Sequence, residues 1–364
     1  MTVYNQLNEG QLRELLIGSN GVVSSVSPFN NAALSAVNYR LFGNNPVLNV
    51  PTQYDTTGGA STLTAATSIF IEQAMGASSL TTLGMTAAVV MNAAGASQFT
   101  DLGSTGDMGD VIFGSNNSGE MITVTQGANY VFAGTGANTL QGGSGADTLW
   151  GGGMSVVKGG SGDNQKLVGG LTSGAHDTLM GGSGTETLWA GYGDDSLVGG
   201  SGANTIYSGV TGNDTIVGGG MSDIWGRGAN LSVTAGTSAS SQDTVNAGSG
   251  FSTISTAAGH NVINSGIGNS TITSGGSDSV TFANGGYQAF TNTGGADTVF
   301  IGTATGADTI TGTDSSGVTV DISKDLGTAT QYQSGSSTIL AFSNGTQVTY
   351  SGTVTVHYSD QNYS

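Results

Sequence analysis

Apolar residues recur at nine-residue steps through the middle of this chain. Leu179, Leu188, Leu197 and Ile206 keep that interval, and Ile254, Ile263 and Ile272 resume it. Such residues stand in the second half of a repeated unit, clearest in Gly142-Gly-Ser-Gly-Ala-Asp-Thr-Leu-Trp150, Gly181-Gly-Ser-Gly-Thr-Glu-Thr-Leu-Trp189, Ala190-Gly-Tyr-Gly-Asp-Asp-Ser-Leu-Val198 and Gly199-Gly-Ser-Gly-Ala-Asn-Thr-Ile-Tyr207. The Gly-rich half predicts a tight turn and the x-aliphatic-x half a very short strand, with its aliphatic side chain pointing inward. Stacked copies then build one thin continuous core.

Outside the repeat the pattern changes. Residues 3–17 read as a helix: Asn8 can cap it with Gln11 three residues on, Leu7 and Leu12 can staple it, and Leu12, Leu15 and Leu16 share a face. The glycines at 18 and 21 stop it. From Val22 to about Gly103 the pattern is irregular, and the apolar runs at 68–71 and 87–91 suit either a strand or a buried helix. The repeat phase emerges after Gly106, lapses after Trp225, and returns at 247–273, with Gly-Ala-Asp at 295–297 and 306–308. From Lys324 the tail alternates apolar and polar residues, as a closing hairpin does. The expected organisation is a non-repeat cap or assembly region over 1–100, a repeat solenoid over 101–323 and a β cap over 324–364. A solenoid needs its open ends covered, which gives both terminal regions a structural reason.

Charge narrows the partners. The chain has 24 acidic residues against 6 basic ones, a formal net charge of −18, so nucleic acid and anionic membranes are poor partners. Many of the acids share one phase of the repeat, which favours divalent cations. Cysteine is absent, leaving stacking and metal as sources of stability. The sequence from Met1 to Asn5 has neither the basic nor the apolar stretch of a Sec-type leader, and no run of about 18 apolar residues predicts a transmembrane helix.

These nonapeptides resemble the RTX (hemolysin-type calcium-binding) family, whose repeat is G-G-x-G-x-D-x-U-x. The resemblance implies an all-β, right-handed parallel β-roll with two nonapeptides per turn, between a mixed N-terminal cap and a short β tail. It implies Ca²⁺ as the ligand, held by backbone carbonyls and the carboxylate at the sixth position of each nonapeptide. It also implies type I secretion machinery reading a C-terminal signal, and hence a protein secreted to the medium or cell surface of a Gram-negative bacterium.

With two nonapeptides per turn, the sixth-position residues fall into two columns. One carries Asn138, Val156, Asp177, Asp195 and Asp214; the other carries Asp147, Asn164, Glu186, Asn204 and Asp223. Asp177, Asp195 and Asp214 stand at near-ideal stacking intervals, where cations would relieve carboxylate repulsion. They are the first calcium candidates, followed by Asp147, Glu186, Asp223, Asp297 and Asp308. The alternative for each is an Asx turn in a Gly-rich loop. Asn261 and Ser270 predict later coils that stack largely without metal.

The ninth position points outward and reads Trp150, Val168, Trp189, Tyr207 and Trp225 on one column, against Met180, Val198 and Val217 on the other. The aromatic stripe is cover for another part of the chain, a protomer interface or a sugar platform. No zinc-protease motif, nucleophile elbow or P-loop occurs, and the acids fall at repeat positions, so no enzyme is expected. The expectation is a calcium-binding structural protein that self-assembles into a surface layer, fibre or biofilm matrix. The alternative is an adhesin module, binding polysaccharide through the aromatic stripe or ice through Thr139, Thr148, Thr178, Thr187, Thr205 and Thr215.

Overall fold

The computed structural model describes Val3–Leu7, the strands Val50–Asp55, Gly59–Leu63, Ile69–Glu72, Ser78–Thr82 and Ala88–Met91, and residues 98–359 except 104–108, 115–118, 135, 171–172, 229, 284, 303–305 and 314. It divides into two compact units, Met1–Asp195 and Ser196–Ser364. Both are parallel β-solenoids. Among the described residues the one helical element is the single 3-10 turn Lys324–Leu326.

In the first unit two parallel ladders alternate along the chain. One runs through Val111–Phe113, Tyr130–Phe132, Thr148–Trp150, Gln165–Val168 and Glu186–Trp189. The other runs through Met121–Val124, Thr139–Gln141, Val156–Lys158 and Thr178–Met180. The same parallel pairing extends back through Val50–Asp55, Ile69–Glu72 and Ala88–Met91 in one sheet, and Gly59–Leu63, Ser78–Thr82 and Gln98–Asp101 in the other. Coil geometry therefore reaches into the region read as a non-repeat cap, and pairing does not change near residue 100. The ambiguous runs at 68–71 and 87–91 are strands. The helix expected over 3–17 is not formed at its start: Val3–Leu7 is a strand antiparallel to Val50–Asp55. Its β-branched and aromatic N-terminal residues suit that long-range pairing better than a first helical turn. The rest of that helix, from its cap at Asn8, lies outside the described residues.

The second unit repeats the arrangement. One sheet passes from Ala203–Tyr207 and Met221–Trp225 through Thr244–Asn246, Val262–Asn264, Ser279–Phe282 and Asp297–Ile301 to Val318–Ser323 and Val354–Ser359. The other passes from Ser196–Val198 and Asn213–Val217 to Ala307–Gly312 and Gln347–Gly352. The tail adds an antiparallel meander of Ala329–Ser334, Ser337–Phe342 and Gln347–Gly352, as its alternating pattern predicts.

The core is the column of aliphatic residues at the eighth position. Leu140, Leu149, Leu167, Leu179 and Leu188 in the first unit, and Ile206, Ile224, Ile254, Ile263 and Ile272 in the second, are fully buried. The three-residue strands from Thr139–Gln141 onward each supply one such side chain between two more exposed ones, which is why strands that short suffice. Turns stack as tightly as strands. Ser161 N–H donates to Gly143 O at 3.0 Å, and Ser183 N–H donates to Gly160 O at 3.1 Å. A Cβ on Gly182 would overlap the Gly160 carbonyl oxygen, so this turn requires glycine for close approach.

Candidate calcium-binding edges

The residue two places before each buried aliphatic turns inward where turn meets strand. In the first unit these are Asp110, Asn129, Asp147, Gln165 and Glu186 on one edge, and Glu120, Asn138, Ser155, Asp177 and Asp195 on the other; all are buried. At Asn129, Asn138, Asp147, Asp177 and Asp195 one rule holds: a side-chain oxygen accepts the backbone N–H of the equivalent residue one coil earlier. Asn129 N–H donates to Asp147 Oδ1 at 2.9 Å, Ser155 N–H to Asp177 Oδ1 at 2.7 Å, and Asp177 N–H to Asp195 Oδ1 at 2.8 Å. Own-turn N–H groups are also held: Gly143 N–H reaches Asp147 Oδ2 at 2.9 Å, and Gly182 N–H reaches Glu186 Oε1 at 3.1 Å.

In the second unit the rule forms an unbroken chain. Ser222, Asp243, Asn261 and Asp278 each donate their N–H to the next side chain, at Asp243, Asn261, Asp278 and Asp297, over 2.6, 3.0, 2.8 and 2.8 Å. Asp214 Oδ2 accepts from Gly209 N–H at 2.6 Å, and Asp308 Oδ1 from Gln288 N–H at 3.3 Å. Asp308 Oδ2 is buried without a hydrogen-bond donor.

Three residues expected in these columns stand elsewhere. Val156 pairs with Thr139, so Ser155 is the inward residue. Lys166 pairs with Thr148, which places Gln165 and not Asn164 beside Asp147. Asp223 pairs with Thr205 and Thr244 on the outward rank, and Ser222 fills the position it was given. The remaining candidates, Asp147, Asp177, Asp195, Asp214, Glu186, Asp297 and Asp308, all lie at buried inward positions. Asp177 and Asp195 are brought together in the first unit; Asp214 lies in the second, with Leu231 in register beside it. Asp243 and Asp278 were missed. Counting back two residues from the aliphatics Val245 and Val280 finds both.

Burial sets the electrostatics. It raises the carboxyls of Asp147, Asp177, Glu186 and Asp297 above their ordinary values, against the opposing pull of N–H donors, and pushes Asp308 up to about 7. A dry carboxylate among backbone carbonyls is an all-oxygen environment with an excess of negative charge, which suits a hard cation. Among the described residues no three acidic or His side chains converge, so any ion here draws mainly on backbone carbonyls with one or two carboxylates. The donorless Oδ2 of Asp308 fits the same chemistry. A bound Ca²⁺ would supply charge neutralisation and cross-link successive turns, while the N–H donors orient the carboxylates.

The aromatic stripe begins earlier than the tryptophans. Phe113 stacks on Phe132 at 5.4 Å and Phe132 on Trp150 at 4.3 Å, and both phenylalanines are buried. Trp189 is 40% exposed. In the second unit Tyr207 is in register with Trp225, which is 42% exposed. The Thr residues expected to form ranks do not do so in the first unit. Thr139 and Thr178 flank Val156 in one sheet, and Thr148 and Thr187 flank Lys166 in the other.

No helix among the described residues is long and apolar enough to cross a membrane. No curated protein matches the chain. The family model of the RTX calcium-binding nonapeptide repeat, which spans four copies, matches residues 123–153, 180–210 and 239–272. Those segments contain Asp147, Glu186, Asp195 and Asp243. Over these segments the chain is similar to the RTX calcium-binding nonapeptide repeat, a motif whose turns bind calcium.

Proposed function

We propose that this chain is a secreted structural protein that assembles with copies of itself into a surface layer, extracellular fibre or biofilm matrix, with calcium consolidating the roll outside the cell. The carrying observation is the outward face of the second unit's sheet through Asn213–Val217 and Gln347–Gly352. Its seventh-position rank includes Ser232, Thr253, Thr271 and Thr309; the ninth includes Thr234, Ser255, Thr273, Thr291 and Thr311. Neither rank carries a charge, on a chain of net charge −18. Like-charged copies repel over most of their surface, and a regular uncharged face is where they approach at least cost. The strand Ala329–Ser334 adds support: it is exposed along nearly its whole length and carries neither charge nor proline, the devices that keep edge strands from pairing.

Candidate calcium ligands in this reading are Asp177 and Asp195 first, then Asp147, Glu186, Asp214, Asp243 and Asp308; no residue has a catalytic role. Family resemblance supports export by a type I machinery. Electron microscopy of the purified protein tests the assembly. Sheets or filaments are expected with calcium and their dissolution in chelator; single particles in both conditions would end the assembly reading.

A second reading, a polysaccharide-binding module, is favoured by the exposure of Trp189 and Trp225. Replacing both by Ala separates the two: loss of retention on polysaccharide with intact polymers supports binding, and loss of polymers supports an interface.

A further inference from the structure

The two buried residues Gln165 and Glu186 occupy equivalent places in adjacent coils, in direct register. Each accepts an N–H from the second glycine of its own turn: Gly160 to Gln165 Oε1 at 2.8 Å, and Gly182 to Glu186 Oε1 at 3.1 Å. They differ in the other head-group atom. Gln165 Nε2 donates to two turn carbonyls of the coil before, Gly143 O and Gly145 O, each at 2.9 Å. Glu186 has a buried oxygen, Oε2, as its other head-group atom and, when ionised, has no hydrogen to give.

The same device recurs. Asn138 Nδ2 donates to Gly134 O at 3.0 Å and Gly136 O at 3.1 Å. Gln288 Nε2 donates to Gly268 O at 2.9 Å and Gly285 O at 3.1 Å. In all three, one amide nitrogen bridges two carbonyl oxygens of Gly-rich turns. Converging carbonyls present partial negative charge, which needs either a donor or a cation. A neutral NH₂ supplies the donor with no charge left to bury.

We propose that Asn138, Gln165 and Gln288 are built-in cation surrogates: their amide nitrogens close the turns that calcium closes at carboxylate rungs. The roll is then a mixed stack in which calcium-independent rungs hold register while carboxylate rungs wait for the ion. Hydroxyl and amide donors extend the device to acids. Asp278 Oδ2 accepts from Thr256 and Ser274, and Asp297 Oδ2 accepts from Asn292, so these two carboxylates are held by protein donors. The first-unit rungs at Asp177, Glu186 and Asp195 and the isolated Asp308 carry the calcium response.

The exchange Gln165→Glu in the full chain tests this. It is expected to add one bound calcium per chain by calorimetric titration, and to lower Tm in chelator while calcium restores it. The reverse exchange, Glu186→Gln, is expected to remove one calcium and leave the chelator Tm unchanged or higher. Unchanged stoichiometry in both variants overturns the proposal. Should Gln165→Glu fail to fold, hydrogen exchange of the wild type decides. Backbone amides at Gly160 and Ser161 are expected to stay protected in chelator while those at Gly170 and Asp177 lose protection. Equal loss at both turns overturns the surrogate role.

Discussion

The backbone N–H of Asp177 donates to Oδ1 of Asp195 across 2.8 Å, eighteen residues along the chain. One acid's side chain thus fixes the backbone of the acid in the coil before. The column is a hydrogen-bond ladder as well as a stack of charges, and the two roles respond differently to substitution.

Asp195→Ala should cost about 1–3 kcal/mol without calcium, because it leaves the buried Asp177 N–H without its acceptor. With calcium the loss should be larger. Urea unfolding with and without the ion measures both, and an unchanged calcium increment would remove Asp195 from the site.

Ile272→Ala should cost about 2–5 kcal/mol, the usual range for emptying a fully buried aliphatic site. Calcium should not rescue it, since the defect is a cavity. Thr271→Ala, on the exposed neighbouring position, should stay within about 0.5 kcal/mol. Denaturation midpoints of the two variants check the inward–outward assignment.

Two glycine substitutions should diverge. Gly182→Ala places a Cβ on the Gly160 carbonyl oxygen and should destabilise the first unit by more than about 2 kcal/mol. Around Gly174 a Cβ meets nothing within 4 Å and φ is not positive, so Gly174→Ala should be neutral or stabilising by up to about 1 kcal/mol. Thermal melts of both would expose an error in turn stacking.

Without calcium, stability should fall as pH rises. The Asp308 carboxyl stands at about 7 in the folded chain against 3.8 as its ordinary value, so folding favours its protonated form. That contribution is complete below about pH 4 and is lost as pH climbs through 7. Asp147, Asp177, Glu186 and Asp297 are shifted upward too and act in the same sense. Asp308→Asn should flatten part of the slope, and saturating calcium should oppose it by binding the ionised form. Tm in chelator from pH 4 to 8 tests the sign; stability rising with pH would refute it.

The coil was legible because its period is local. A glycine pair, a small polar residue and one aliphatic are enough to specify a turn and an inward side chain, and Leu179, Leu188, Ile254 and Ile263 are buried as their spacing requires. The columns were legible where an acid marked them, as at Asp147 and Asp177. They were misread at Val156, Asn164 and Asp223, where Ser155, Gln165 and Ser222 take the inward place without an acidic signature. Val3–Leu7 was misread because its partner strand, Val50–Asp55, is distant in sequence.

By itself the sequence determined the repeat, the inward aliphatic and the all-oxygen chemistry of the turns, since each follows from residues within one nonapeptide. The tertiary structure decided which backbone each carboxyl or amide holds. Those bonds span 17 residues between Asn261 and Asp278, 18 between Asp177 and Asp195, and 22 between Ser155 and Asp177. Turns of unequal length shift the count from coil to coil. Only the pairing of strands, made between residues far apart in the chain, restores a common register.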